Sequence, residues 1–144
     1  MLIVEDGEVL RKHLARLFVR EGYLVTTAGS RAEALGELAQ ARFATLLLDI
    51  KLPDGDGLDL LATLDDERRP HHTVVMTAFS TNENETRAQQ LGVSQVLPKP
   101  LDLRLHPLQR LLFAEYIQRR ERHGRSQGIA AIRVAMKEGL RRGV

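Results

Sequence analysis

Short apolar runs alternate with longer stretches of helical periodicity along this chain, and that alternation most narrows what it can fold into. Leu2–Val4 is a compact apolar run, and residues 7–21 follow with Leu10, Leu14, Leu17 and Phe18 at helical spacing. Leu24–Ala28 reads as a second strand. Ser30-Arg31-Ala32-Glu33 then reads as a capping box opening a helix that runs to Gln40. Ala44–Leu48 is continuously apolar and stops at Asp49, as expected of a strand buried on both faces of a parallel sheet. Residues 51–57 form a loop rich in Pro, Gly and Asp, after which Leu58, Leu61 and Leu64 start another helix. Thr73–Met76 is the fourth strand, ending at Thr77. A helix around Asn82–Leu91 leads to a short strand, Gln95–Leu97, that ends at Pro98-Lys99-Pro100. With a helix after Pro107, this is β-α repeated five times. It predicts an α/β domain: a parallel sheet with helices on both faces.

Other classes fall away on simple grounds. A chain of 144 residues suits one domain and can bury a core without covalent staples. There is no Cys, which excludes a disulfide framework, thiolate metal sites and cysteine nucleophiles. The apolar runs are far too short to cross a membrane. The start of the chain turns acidic at once, unlike a signal or transit peptide. The first strand begins at residue 2, which leaves room for a natural start further upstream.

The architecture says where chemistry belongs, because ligands of open α/β sheets bind outside the carboxyl ends of the strands. Those ends carry Glu5 and Asp6, Asp49, Thr77 and Lys99. Like charges about 4 Å apart repel by about 4 kcal/mol at an effective dielectric near 20, so three converging carboxylates need compensation. Lys99 supplies one positive charge, and a divalent cation would supply the rest. Oxygen-only ligands at a site open to water suit Mg²⁺ or Mn²⁺.

With these residues in place, the sequence resembles the receiver domain of bacterial two-component response regulators. The features that carry the resemblance are the acidic pair Glu5-Asp6 and Asp49 within a D-x-x-x-P-x-x-x-G pattern made with Pro53 and Gly57. Thr77-Ala78 and Lys99-Pro100 complete the set. They occur in order over roughly residues 1–103. The resemblance implies a doubly wound, flavodoxin-like (βα)5 fold with strand order 2-1-3-4-5 and a C-terminal helical extension. It implies Asp49 as the phosphoacceptor, taking a phosphoryl group from a phosphohistidine on a sensor histidine kinase or phosphotransfer protein. Mg²⁺ (or Mn²⁺) would be held by Asp6, Asp49 and the backbone carbonyl of Lys51, with Glu5 acting mainly through water. Lys99 would pair with the phosphoryl oxygens, the Thr77 hydroxyl would turn inward to them, and the small Ala78 would leave the approach open. In the family the Lys-Pro bond is cis, which would fix the direction of the lysine. Such a protein is cytoplasmic. It is a phosphoacceptor that supports its own phosphotransfer and slow dephosphorylation rather than an enzyme in the usual sense. Phosphoryl transfer of this kind needs positioning and charge neutralisation more than acid–base chemistry.

Each of these residues also has a plainer reading: a helix cap for Asp49, a solvated helix start for Glu5-Asp6, an ordinary strand residue for Thr77, a surface amine for Lys99. Their joint arrival at one sheet edge favours the functional reading. His71-His72 suits a solvated turn better than a metal site, because adjacent side chains at a strand start diverge. Ser80-Thr81 suits the cap of the next helix. Other phosphate chemistries fit worse. A haloacid-dehalogenase-type phosphatase would need a second aspartate where Lys51 stands, and a flavodoxin would need a hydroxyl-rich loop where Glu5-Asp6 stands. No P-loop or G-x-G-x-x-G fingerprint is present.

The sequence departs from the family pattern in its readout positions. Val96 stands where receivers usually carry an aromatic switch residue, and Leu101 follows Lys99-Pro100 where Phe is common. Phe79 reads first as packing, with a cover for the site or a part in switching as the alternatives. The helix near Asn82–Leu91 offers mainly Ala88 and Leu91 for burial, so it is expected to shift easily.

The expected division is a receiver domain over residues 1–122 and a basic helical tail over 123–144. Pro107 suits a helix first turn, with Leu108, Leu111, Leu112 and Tyr116 as its apolar stripe. Ile129, Ile132, Met136 and Leu140 mark a second helix. That second stripe is open to three roles: docking on the receiver, pairing in a homodimer, or standing as what remains of an output domain. The net charge of +2 conceals a segregation. Residues 1–103 carry 11 basic and 16 acidic residues, a balance of −5, while residues 104–144 carry ten and three, or +7. DNA contact through phosphates, as in a shortened transcriptional regulator, is therefore the alternative to control by protein contact alone. No membrane partner is expected.

Overall fold

The computed structural model of the chain describes residues 1–78 and 80–101. The helices expected after Pro107 and through Ile129, Phe79, and the division at residue 122 lie outside the described residues. Eleven elements follow one another: β1 (Leu2–Val4), α1 (Glu8–Arg20), β2 (Thr26–Ala28), α2 (Arg31–Gln40), β3 (Thr45–Asp49), β4 (Lys51–Leu52), β5 (Gly55–Asp56), α3 (Gly57–Thr63), β6 (His72–Thr77), α4 (Asn82–Gln90) and β7 (Gln95–Pro98). Five strands make one parallel sheet in the order β2-β1-β3-β6-β7. Without the two-residue β4–β5 hairpin, that is the expected 2-1-3-4-5 order.

The central strands are apolar throughout because both of their faces are covered. Leu46, Leu47 and Leu48 of β3 and Leu2, Ile3 and Val4 of β1 are all fully buried. Alternation assigns their faces. Leu2, Val4, Leu46, Leu48 and Val75 join Ala34 and Leu38 of α2, Leu58 and Leu61 of α3 and Ala88 of α4 in one cluster. Ile3, Leu47, Val74 and Met76 point the other way. The buried residues of α1, Leu14 and Phe18, are not part of the first cluster.

Local chemistry sets the element ends. Gly22 (φ 89°) ends α1: its N–H reaches Val19 O at 3.0 Å and the Tyr23 N–H reaches Phe18 O at 3.0 Å. That turn lays Tyr23 edge-on against Phe18, with ring centroids 5.6 Å apart. β2 consequently starts at Thr26, later than expected, and Leu24 is 91% exposed. The α2 cap is more elaborate than a simple capping box. Ser30 Oγ accepts from Glu33 N, and Glu33 reaches back to Gly29 N rather than to Ser30. The remaining first-turn amides, Arg31 N and Ala32 N, donate to the Asp54 carboxylate at 2.7 and 2.9 Å, so the hairpin is tied to α2. Those two N–H groups hold the Asp54 carboxyl below its usual range. Thr81 caps α4 by accepting from Asn84 N. His71 is exposed, but His72 opens β6 opposite Thr45 rather than lying in a turn.

α4 buries only Ala88, in keeping with its polar sequence. Polar contacts hold it instead. Arg87 donates to Asp56 Oδ2 at 3.0 Å and to Asp59 Oδ1 at 2.6 Å, and Arg69 reaches the carbonyls of Leu61 and Leu91 at 2.9 and 3.3 Å. At the start of α3, Gly57 N donates to Ile50 O at 2.6 Å, and a Cβ on Gly57 would collide with the Asp49 carbonyl oxygen. The glycine of the motif is thus a requirement of close main-chain approach. Gly57→Ala should destabilise the fold by about 3 kcal/mol, the upper end of ordinary overpacking costs. Urea unfolding with an unchanged slope measures this, and a midpoint equal to the parent's would contradict the steric account.

Candidate functional site

The register of the parallel ladder brings the strand ends to one edge. Val4 is level with Leu48, so Glu5 and Asp49 follow side by side, and Thr77 is level with Pro98, so Lys99 follows two strands away from Asp49. Glu5, Asp49 and Thr77 are buried, while Asp6 is exposed. Lys99 Nζ donates to Asp49 Oδ2 at 2.7 Å and to Glu5 Oε2 at 2.8 Å. The other Glu5 oxygen accepts from Gly7 N at 3.0 Å, and the other Asp49 oxygen accepts from Lys51 N at 3.2 Å. Both buried carboxylates are therefore partnered at each oxygen, as burial of charge demands.

The electrostatics follow from this packing. Burial pushes the Glu5 carboxyl up; the hydrogen bonds from Lys99 and Gly7 pull it down, Asp49's charge pushes it up, and the net shift is upward. Burial works against the Lys99 charge, but the hydrogen bonds to Asp49 and Glu5 outweigh it and the ammonium is held above its usual value. Because the amine binds its proton more tightly when folded, its stabilisation is complete below 10.5 and is lost as pH rises through the raised value. The Glu5 shift runs the other way in effect: folding favours its protonated form, so stability falls as pH rises from 4.5 through its raised value.

Glu5, Asp6 and Asp49 each offer one oxygen, and these atoms lie within 4.8 Å of one another. A hard oxygen set of this kind beside an exposed carboxylate fits Mg²⁺. Of the residues expected at the site, Glu5, Asp6, Asp49 and Lys99 come together directly. Thr77 ends β6, and its carbonyl accepts from Lys99 N at 2.7 Å. Lys51 touches Asp49 through its main chain while its side chain is exposed. Ala78 is exposed, and the Lys99–Pro100 bond is cis. Val96 is half-buried and packs against the core cluster. Reading the sequence misses Arg11, whose Nη1 donates to the carbonyls of Glu5 and Asp6 at 2.8 and 3.1 Å. An arginine one helical turn beyond an acidic pair is the available signal, but it is too common to single out.

An acid-lined carboxyl edge on a 2-1-3-4-5 parallel sheet, bridged by a lysine that follows the last strand, is the arrangement expected of a receiver domain. The family model for the response regulator receiver domain matches residues 1–108, and the chain belongs to that family. The photosynthetic apparatus regulatory protein RegA of Cereibacter sphaeroides is 35% identical over 103 residues, covering 71% of this chain and 55% of RegA. The transcriptional regulatory protein PmrA of Pectobacterium parmentieri is 32% identical over 103 residues, covering 72% of this chain and 46% of PmrA. This chain thus spans about half the length of these curated relatives. A CheY-like receiver domain protein from Methanospirillum hungatei superposes with a TM-score of 0.73 at 28% identity, covering 83% of this chain and 95% of that one. Among the described residues, no helix is long and apolar enough to cross a membrane.

Lys99→Met would leave Glu5 and Asp49 buried without the cation between them. The variant should lose about 2 kcal/mol at pH 7, the scale of hydrogen bonds to charged groups. The loss should shrink toward pH 5, as protonation of Glu5 removes unpaired charge. Urea unfolding of both proteins at the two pH values tests this, and a loss that grows on acidification contradicts the bridge.

Proposed function

We propose that the chain is the phosphoacceptor of a two-component pathway and that Asp49 is the residue that carries the phosphoryl group. The observation that carries this reading is the placement of the Asp49 carboxylate: buried at the carboxyl edge, held by Lys99 at 2.7 Å and grouped with Glu5 and Asp6. An Asp49 oxygen forms a bond to phosphorus as the P–N bond of a donor phosphohistidine breaks, and the imidazole leaves with the bonding pair. Lys99 moves from bridging carboxylates to pairing with phosphoryl oxygens, and Thr77 supplies a hydroxyl beside them. Asp6, Asp49 and the Lys51 carbonyl would hold Mg²⁺, with Glu5 acting mainly through water. The cation supplies neutralisation of the phosphoryl charge. The phosphoryl group resides on Asp49 until hydrolysis, which the same site supports slowly, so the chain acts as a timed signal in the cytoplasm. The donor is a sensor histidine kinase or a phosphotransfer protein.

Incubation of the full chain with a small phosphodonor and Mg²⁺ should add the mass of one phosphoryl group. Asp49→Asn should abolish the adduct, and Thr77→Ala should slow its formation while leaving it on Asp49. An adduct that persists in Asp49→Asn contradicts the assignment.

A second reading rests on the charge segregation: residues 104–144 carry ten basic and three acidic residues. Contact with DNA phosphates by this segment would make the phosphoacceptor part a regulatory or dimerising unit. Duplex binding by the full chain should then weaken steeply with salt and vanish when the chain is ended at Ala114. Binding that survives the shortening rules out residues 115–144 as the contact.

A further inference from the structure

We infer that Arg11 is a positioning residue for the acidic turn between β1 and α1, setting the cation affinity of the phosphoacceptor site; the inference builds on the Mg²⁺-dependent reading proposed for Asp49. Arg11 lies in the opening turns of α1, and its own N–H reaches back to Gly7 O at 2.9 Å. A cation near a helix N-terminus opposes the helix dipole, so a charge kept there needs a local partner. Its partners are main-chain oxygens. One nitrogen, Nη1, donates to Glu5 O at 2.8 Å and to Asp6 O at 3.1 Å. Two consecutive carbonyls on one donor fix the orientation of the peptide unit between Glu5 and Asp6, and with it the direction in which Asp6 leaves the chain.

The three carboxylates depend on this turn unequally. Glu5 is held by Lys99 and Gly7 N, and Asp49 by Lys99 and Lys51 N. Asp6 is exposed, and among the described residues its carboxylate makes no hydrogen bond or ion pair; its place near the other two is set by its main chain. The neighbouring strand is shaped to admit the guanidinium. A Cβ on Gly29, just past β2, would lie 3.0 Å from Arg11 Nη1 and 3.5 Å from Cζ. Gly29 does not have a positive φ, so a side chain there would crowd the guanidinium, which would have to give by a few tenths of an ångström, without straining the backbone. Ala28 O meanwhile accepts from Glu5 N at 3.0 Å, which brings the Gly29 main chain alongside the turn. Arg11 therefore works as an outer-shell group that orders a ligand without touching the cation.

The test is calorimetric titration of the full chain with Mg²⁺, alongside phosphodonor rates measured as a function of Mg²⁺ concentration. Arg11→Ala should raise the Mg²⁺ dissociation constant about tenfold, as loss of an outer-shell partner does. The Mg²⁺ concentration for half-maximal phosphorylation should move by the same factor, with the plateau rate little changed. Arg11→Lys should recover part of the affinity. Gly29→Ala, which leaves Arg11 in place but crowds it, should shift affinity in the same direction by a smaller factor and serves if Arg11→Ala folds poorly. Wild-type Mg²⁺ affinity in folded Arg11→Ala, or in Gly29→Ala where Arg11→Ala does not fold, overturns the inference, as does absence of Mg²⁺ binding by the parent. Weaker Mg²⁺ binding in Arg11→Ala, with no phosphoryl adduct even in the parent, upholds the Arg11 role and overturns the phosphoacceptor reading alone.

Discussion

One ammonium group holds two buried carboxylates together at the carboxyl edge of the sheet, and much else in the domain serves to keep it there. Lys99 directly follows β7 and reaches past β6 to Asp49 and Glu5, 50 and 94 residues earlier in the chain. With strands roughly 5 Å apart, only a long flexible side chain spans that gap. The reach also demands correct register. Slipping β7 by one residue would turn alternate side chains to the opposite face and withdraw the lysine from the acids. The buried leucines of β3 and the apolar run of β1 hold that register from below, because their faces are committed to two different packing layers.

The segment after Asp49 ties this edge to the helices. Gly57 passes so close to the Asp49 carbonyl that no side chain fits, and Gly57 N closes onto Ile50 O. Asp54 takes the first two amides of α2, and Asp56 caps Leu58 N while accepting from Arg87 of α4. The seven residues between Asp49 and α3 thus make polar contacts with α2, α3 and α4. Val96, where an aromatic residue is usual in the family, packs against the core instead. In this chain α4 buries little beyond Ala88 and is also held by Arg87 and Arg69, so its position depends on ion pairs to Asp56 and Asp59 and on carbonyl contacts with Leu61 and Leu91.

The parallel sheet and the edge residues were legible because they depend on short, local signals. An apolar triplet ending in Asp49 can hardly be anything but a buried strand, and β-α alternation leaves few topologies for five such strands. The site was legible for the same reason: strand ends of a parallel sheet converge, so residues distant in sequence share an edge. Long-range polar contacts were not legible. Asp54 is one of several acids in a turn-rich loop, and nothing local says that it completes the cap of a helix 22 residues earlier. Arg87 and Arg69 read as solvated charges on polar segments, although each holds two partners. The start of β2 was misjudged because Leu24 looks apolar, whereas the glycine turn at Gly22 spends Tyr23 on Phe18 and leaves Leu24 in solvent.

The central claim is that Asp49, and no other carboxylate of the acidic cluster, carries the phosphoryl group. Borohydride reduction distinguishes them, because an acyl phosphate is reduced to the alcohol and leaves homoserine at the modified aspartate. Peptide sequencing of the reduced, phosphodonor-treated chain should find homoserine at position 49 and unmodified Glu5 and Asp6. Reduction at Glu5 or Asp6, or none at position 49 in a chain that has gained a phosphoryl group, would contradict the account.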